Sequence, residues 1–226
     1  MTTCIFHAWN FYPSPAPPPH DSACLSPDAT GGNSSNYFNT AGSFAPFQVD
    51  LDYGDNSGDI NHRHHYMRQG LKTWGAWLSS KVGYRAYRWD VAYHIDPWFI
   101  SEFMNYGPMK GKFAVMEGWS LESGFSIKEM ETYVALTDHR AAMFDMPLAN
   151  KLRWMCNDPA TFDMEWLNGG AFASIRPEKA VTFVESHDTI RSGGEDDKFG
   201  ITVKKELAYA FILLSEGLPC IFYHDY

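Results

Sequence analysis

Short apolar runs alternate with longer amphipathic stretches from residue 47 to the end of the chain. Apolar side chains recur at helical spacing over residues 62–81, just before Gly83, and over 205–215, and this predicts a helix in each stretch. The short apolar runs predict strands at 84–90, 113–116, 142–145, 180–184 and 219–223. Strands that alternate with helices are typical of β/α units around a parallel sheet, so the predicted fold class is α/β.

The N-terminal part of the chain departs from this pattern. Residues 10–47 are rich in Pro, Gly, Ser and Asn, a composition that favours irregular structure. We therefore divide the chain into an irregular segment at 1–46 and a folded region at 47–226. The first ten residues contain neither a basic stretch nor a long apolar one, so they predict no secretory signal and leave the compartment open.

Composition and charge narrow the classes of function. The 226 residues are enough for one sizeable hydrophobic core. With 18 basic and 27 acidic residues, the net charge of −9 argues against nucleic acid as a partner. No stretch approaches the roughly 20 apolar residues that a membrane span needs, so no membrane partner is expected. Four cysteines without C-x-x-C spacing predict neither a zinc site nor a disulfide framework.

Charged side chains follow three of the predicted strands at the point where each strand ends. Asp90, Glu117 and the His187-Asp188 pair occupy these positions. Because the carboxyl ends of parallel strands meet at one edge of a sheet, we expect three acids to face one cleft. Strand alternation places Arg88 on the face of Asp90, where its charge would keep that carboxylate ionised, while apolar surroundings would favour a proton on Glu117. The structural alternatives are a helix cap at Asp90, paired with Arg88, and an ordinary strand-end acid at Glu117.

Other polar groups along the chain carry weaker signals. Residues 186–188 read Ser-His-Asp, but immediate neighbours cannot form a nucleophile-base relay, and no G-x-S-x-G elbow is present. Trp119 is either a stacking ring for a ligand or a core residue. A metal site built from His62, His64 and His65 is the weakest hypothesis.

Three separated motifs resemble the α-amylase family of glycoside hydrolases. Arg88-x-Asp90, Glu117 and residues 183–188 are similar, in order and approximate spacing, to the second, third and fourth sequence regions of that family. Residues 208–223 look like its last barrel helix and eighth strand, and 47–53 look like the stretch before its fourth strand. The resemblance covers residues 47–226.

The resemblance implies a fold and a set of catalytic roles. The fold would be a partial (β/α)8 TIM barrel, with strands four to eight present and residues 1–46 as the remnant of an inserted loop domain. Asp90 would be the nucleophile, Glu117 the general acid/base, and Asp188 the carboxylate that orients the substrate. Such a site hydrolyses α-1,4-glucans, including starch and maltooligosaccharides, with retention at the anomeric carbon.

The resemblance also implies binding residues. Those that would contact substrate are Arg88, Tyr93, His94, Trp119 and His187. A structural calcium would be bound by Asp50, Asp52 and the backbone carbonyl of His94, which are hard oxygen ligands.

Two departures from the family pattern bear on these roles. Tyr93 stands where a Lys is frequent, which affects contacts with the reducing-side sugar. A strand ending in D-x-x-x-N-H, the first sequence region of the family, is missing. Residues 59–62 resemble the end of that motif, but their spacing differs.

Several functions remain open at this point. The same carboxylates serve hydrolysis and glucan transfer, and a chain that binds carbohydrate without turnover is a third possibility. A complete barrel of this type needs about 250 residues, and a five-stranded arc would leave two strand edges unpaired. We therefore expect low stability and little activity from this chain alone.

Overall fold

The computed structural model describes residues 62, 65–90, 92, 95–118, 126–190 and 200–226. The proposed irregular segment at 1–46 and the stretch 47–61 lie outside this range. The described residues fall into two compact units. The first contains residue 62 with 65–84 and 95–111, and the second contains the remainder.

Helices dominate the first unit. Helix α1 spans His65–Trp77 and continues into a π-helical turn at Leu78–Val82. The turn ends at Gly83, whose φ of 92° places it in the left-handed region and whose N–H donates to the Leu78 carbonyl oxygen at 2.9 Å. The helix predicted over 62–81 is therefore confirmed, with a later start and a widened last turn.

A second helix, α2, packs on α1 in the same unit. It spans Pro97–Met104 and is followed by a 3-10 turn at Gly107–Met109. Gly75 lies against the Phe103 ring, and a Cβ at this position would overlap that ring. Close contact between the two helices therefore depends on the missing side chain. Lys72 donates to Glu102 at 2.5 Å, which adds an ion pair to this interface.

The second unit is built on a parallel sheet of five strands. The strands are β1 (Ala86–Trp89), β2 (Phe113–Met116), β3 (Ala142–Phe144), β4 (Ala180–Phe183) and β5 (Leu218–Cys220). They pair in the order β1-β2-β3-β4-β5, and every pairing is parallel. All five predicted strands are confirmed as strands, several with shorter bounds. The α/β class is confirmed by this sheet and its helices.

Three helices connect the strands from β2 to β5, one between each pair of successive strands. They are α3 (Ile127–Leu136), α4 (Met146–Asn157) and α5 (Lys205–Leu214). Short 3-10 turns follow α4 and precede β4, and another ends the chain, at Met164–Asn168, Phe172–Ser174, Pro177–Lys179 and Tyr223–Asp225. Helix α3 begins with a capping box in which Ser126 and Glu129 satisfy each other's backbone N–H groups. The predicted helix at 205–215 is confirmed.

The core of this unit lies where α4 and α5 meet. Its buried side chains include Leu148, Leu152, Val184, Ala208 and Ile212. A fully buried acid, Asp145, begins α4 by accepting hydrogen bonds from the backbone N–H groups of Leu148 at 3.0 Å and Ala173 at 2.8 Å. Burial raises the pKa of Asp145, and the backbone hydrogen bonds oppose that shift. Asp145 directly follows β3 and caps a helix. A structural role of this kind is the alternative that the sequence left open for Asp90.

The cysteines and helices add two smaller findings. Of the cysteines in the described part of the chain, Cys156 is buried and Cys220 is exposed, and both are free thiols. Among the described helices, none has the length and apolar character needed to cross a membrane.

Candidate active site

Two of the predicted acids stand next to each other at the carboxyl edge of the sheet. Asp90 directly follows β1, and Glu117 directly follows β2. The parallel ladder continues past the strands, since the Glu117 N–H donates to the Trp89 carbonyl at 2.8 Å and the Ala92 N–H donates to the Glu117 carbonyl at 2.9 Å. Backbone hydrogen bonds therefore fix the position of Glu117 beside the end of β1.

The Arg88 guanidinium joins three carboxylates. Its Nη2 lies 2.7 Å from Glu117 Oε1, 3.0 Å from Asp90 Oδ1 and 4.0 Å from Asp188 Oδ2. The Glu117 side chain is only 6% exposed, whereas Asp90 is 73% and Asp188 is 45% exposed. The site therefore has one buried acid behind two acids that solvent or a ligand can reach.

The pKa of Asp90 is influenced most by its neighbour Glu117. A hydrogen bond with Glu117, then partial burial and the Glu117 charge, raise the pKa of Asp90 above its ordinary value. Arg88 acts in the opposite direction but does not outweigh them. Burial works against the charge on Arg88, yet the hydrogen bond and charges of its acidic neighbours raise its pKa. The expected Arg88–Asp90 contact is present, but the net effect of the surroundings is to raise the pKa of Asp90 and not to lower it.

The segment after β4 carries the third acid. His187 Nε2 lies 3.3 Å from Asp188 Oδ1, and both side chains are exposed. A tight turn holds this segment, because the Ser186 N–H donates to Thr189 Oγ1 at 2.8 Å and the Asp188 N–H donates to Ser186 Oγ at 3.2 Å. The structure thus brings Asp188 within reach of Arg88 through a turn rather than through the strand itself.

A buried polar network anchors the same segment and was missed from the sequence. The Glu185 side chain is 2% exposed, and it accepts from Lys205 Nζ at 2.5 Å and from the Ile201 N–H at 2.7 Å. Lys205 also donates to Asp225 at 2.9 Å. Tyr209 donates to Asp225 at 2.7 Å, and burial together with that carboxylate raises the Tyr209 pKa. The sequence analysis did not single out Glu185, and no sequence spacing pointed to its partners.

Several predicted binding residues lie outside the described residues. They are Asp50, Asp52, Tyr93, His94 and Trp119, together with His64 of the histidine-rich stretch. Within the described ranges no group of three or more His, Cys, Asp or Glu side chains is arranged to hold a metal ion.

Two histidines of that stretch are described: His65 is exposed at the start of α1, and His62 has a packing role. Its ring stacks on Phe99 with 4.4 Å between the centroids. Burial lowers the pKa of His62 from 6.5 to about 4. A neutral, packed ring is therefore the role that the structure gives this residue.

Comparison with known proteins identifies relatives for most of the chain. No family model matches it. An α-amylase of Geobacillus stearothermophilus is 33% identical over 188 residues, which cover 80% of this chain and 33% of that protein. An α-amylase of Bacillus licheniformis is 34% identical over 171 residues, or 74% of this chain and 32% of its own length.

A third relative comes from a different bacterial lineage. The cytoplasmic α-amylase of Escherichia coli strain K12 is 31% identical over 172 residues, which cover 74% of this chain and 34% of that protein. The chain therefore spans about a third of the length of the curated relatives that it matches. These relatives confirm the resemblance that the three motifs predicted.

Proposed function

Because the chain belongs to the α-amylase family, we propose that it carries the catalytic carboxylates of a retaining glycoside hydrolase acting on α-1,4-glucans such as starch and maltooligosaccharides. The observation that supports this most directly is the meeting of Asp90, Glu117 and Asp188 around Arg88. Two of these acids directly follow β1 and β2, the third lies in the turn after β4, and they are up to 98 residues apart in the chain (188 − 90 = 98). Their convergence at one edge is the arrangement that glycoside hydrolysis requires.

The proposed architecture is the portion of a (β/α)8 TIM barrel that holds strands four to eight, over residues 47–226. Five parallel strands paired in chain order agree with consecutive barrel strands. Apolar side chains on α5 and β5, including Leu213, Leu214 and Leu218, are exposed, which agrees with a larger sheet around this one. Residues 1–46 would be the remnant of an inserted loop domain.

The proposed reaction is a double displacement at the anomeric carbon. Asp90 attacks that carbon while the bond to the leaving oxygen breaks, and Glu117 gives its proton to that oxygen. Water, deprotonated by Glu117, then displaces Asp90 from the glycosyl intermediate and restores both carboxyl groups. Asp188, with His187 beside it, holds the sugar and stabilises the positive charge that develops on the ring.

We propose that Asp90 and Glu117 share one proton in the free site, because a hydrogen bond with Glu117 raises the pKa of Asp90. Retaining enzymes hold the two carboxyl groups about 5 to 5.5 Å apart, so a bound sugar must separate them. Asp90 is the exposed partner and Glu117 the buried one. Rotation of Asp90 towards the sugar would leave the proton on Glu117 and the charge on the nucleophile.

The remaining substrate contacts are carried over from the family resemblance. Arg88 would keep Asp90 and Glu117 aligned, since it contacts both. Tyr93, His94 and Trp119 would contact the sugars on either side of the cleaved bond. Trp119 would do so by stacking, because indole rings present a flat apolar face.

We also propose a structural calcium bound by Asp50, Asp52 and the carbonyl oxygen of His94. Carboxylate and carbonyl oxygens are the donors that calcium prefers. All three residues lie outside the described ranges. The ion would tie loops together and would take no part in the displacement steps.

Hydrolysis of maltoheptaose, followed by chromatography of the products, tests the proposed function. Asp90→Asn and Glu117→Gln should each lower kcat by about a thousandfold. Glu206→Gln is the matched control, because Glu206 is an exposed acid on α5 outside the cluster. Full activity in either cluster variant would contradict the assigned roles, and products longer than the substrate would assign glucan transfer instead.

A further inference from the structure

A buried tyrosine on α3 connects that helix to the backbone that follows β1. Tyr133 is 1% exposed, and its hydroxyl donates to the carbonyl oxygen of Ala92, a residue that is itself fully buried. The two residues are 41 positions apart in the chain. A hydroxyl and a carbonyl that water does not reach are costly to leave unpaired, so this contact constrains the backbone at residue 92.

Ala92 is held at both of its backbone polar groups. Its carbonyl accepts from Tyr133, and its N–H donates to the Glu117 carbonyl at 2.9 Å. The Glu117 N–H in turn donates to the Trp89 carbonyl at 2.8 Å. One continuous set of hydrogen bonds therefore runs from α3 through Ala92 to Glu117 and the end of β1.

This set of hydrogen bonds encloses the two acids that stand next to each other at the sheet edge. Asp90 lies two residues before Ala92, and Glu117 is the residue whose carbonyl oxygen Ala92 contacts. Both side chains contact Arg88 Nη2, at 3.0 Å from Asp90 and 2.7 Å from Glu117. Because the Asp90 side chain is 73% exposed, its position depends largely on the backbone before and after it. Strand β1 fixes the backbone before Asp90, and the contacts of Ala92 fix it afterwards.

We propose that Tyr133 is a positioning residue, whose hydroxyl holds Ala92 and thereby sets the spacing between Asp90 and Glu117. The catalytic roles of those two acids rest on the proposed function. Double displacement needs the nucleophile and the acid/base at a defined separation, and a misplacement of about 1 Å can lower the rate about a hundredfold. Tyr133 acts on the acids through the backbone of Ala92 and takes no part in the displacement steps.

The alternative is that the Tyr133 hydroxyl serves stability alone. Its loss would then lower the melting temperature without moving either acid. Tyr133→Phe separates the two roles, because it keeps the buried ring and removes only the donor to Ala92. If the hydroxyl positions the acids, residue 92 should become more mobile and Asp90 should shift relative to Glu117.

Amide hydrogen exchange, measured by NMR on the whole chain, tests the constraint on Ala92. The Ala92 amide should be protected about a hundredfold or more in the unaltered chain, and Tyr133→Phe should speed its exchange about tenfold. The amide of Leu152, buried on α4, reports opening of the whole unit and should change by less than about twofold. The matched control is Tyr106→Phe, which removes a phenol hydroxyl that accepts from Gln69 at 3.3 Å in the other unit. This control should leave the Ala92 amide unchanged.

Titration of the Asp90 carboxyl carbon by NMR tests the spacing of the two acids. The charged groups that face Asp90 are Arg88, Glu117 and Asp188. Glu117 is the main cause of the raised pKa of Asp90, so a shift of Asp90 away from Glu117 should return that pKa towards its ordinary value in Tyr133→Phe. A role in stability alone would leave this titration as it is in the unaltered chain.

The outcomes separate this proposal from the proposed function. An unprotected Ala92 amide in the unaltered chain would overturn the positioning role, and so would an Asp90 titration that Tyr133→Phe leaves unchanged. In maltoheptaose hydrolysis, Tyr133→Phe should lower kcat about tenfold and change KM little, since the loss concerns alignment and not sugar binding. Both NMR changes in a chain that cleaves no maltoheptaose would support the positioning role and contradict the hydrolase.

Discussion

Loss of the Lys205 charge should destabilise the second unit strongly. Lys205 Nζ lies 2.5 Å from Glu185 and 2.9 Å from Asp225. Glu185 is 2% exposed, so the carboxylate would stay buried without a cation after Lys205→Met. Within the described residues, Glu185 would keep the hydrogen bond from the Ile201 N–H, at 2.7 Å. The substitution keeps most of the length and the apolar character of the side chain and removes its charge.

The expected loss in the free energy of unfolding follows from the burial of the Lys205–Glu185 ion pair. Removing one partner of a buried ion pair costs about 3 to 5 kcal/mol, because the other charge is left uncompensated. Lys205 is 26% exposed, which admits water near the pair and places the expected loss near 3 kcal/mol, at the lower end of that range. Asp225 keeps its hydrogen bond from Tyr209, at 2.7 Å, so it adds little to the loss.

Urea unfolding, followed by tryptophan fluorescence, measures the free energy of unfolding for each variant. Lys205→Arg, which keeps the charge, should lose much less than Lys205→Met. Glu185→Gln combined with Lys205→Met should lose less than the sum of the two single losses, since the pair then has no orphaned charge. A loss below about 1 kcal/mol in Lys205→Met, the range of an exposed ion pair, would refute the buried-pair argument.

Three further predictions concern other parts of the chain. The raised pKa of Asp90 means that the folded state binds the proton more tightly than the unfolded state, so stability falls as pH rises from 3.8 towards the raised value. Asp90→Asn should remove this fall in melting temperatures measured across pH. The same pH dependence in Asp90→Asn as in the unaltered chain would contradict the assignment. Gly75→Ala should cost about 1 to 3 kcal/mol because the added methyl overlaps the Phe103 ring, whereas Gly169→Ala, which meets open space, should cost far less in the same urea titration. A calcium chelator should lower the melting temperature of the chain, and Asp50→Asn should abolish that response; equal melting curves with and without chelator would remove the calcium proposal.

The strands and the acids at their ends were predictable because they depend on local pattern. The stretch 84–90 and the four-residue apolar run 113–116, each followed or ended by an acid, marked β1 and β2, and the parallel sheet then brought Asp90 and Glu117 together. Strand alternation also predicted the Arg88–Asp90 contact. The raised pKa of Asp90 was not predictable, because it depends on the distance between two strands that are separated in sequence.

The hydrogen-bond network around Glu185 shows a second limit of prediction from sequence. Glu185 and Lys205 are 20 residues apart, and no periodicity relates them to Asp225 or Tyr209. The burial of Glu185 could not be predicted from the sequence, because it depends on how α5 packs. The contact between the Trp154 and Trp166 rings has the same origin, since they meet only after the turn behind α4 is folded. Composition indicated an excess of aromatic residues without saying where they gather.

Two different sets of hydrogen bonds hold the three acids of the candidate site. The ladder hydrogen bonds between β1 and β2 fix Asp90 and Glu117, which follow their strands without an intervening residue. Asp188 comes five residues after β4 ends, so the sheet alone does not place it. The turn and the buried Glu185 hold that segment. A change at Glu185 should therefore move Asp188 and leave Asp90 and Glu117 in position, so that under the proposed function it would weaken sugar binding more than it disturbs the proposed nucleophile and proton donor.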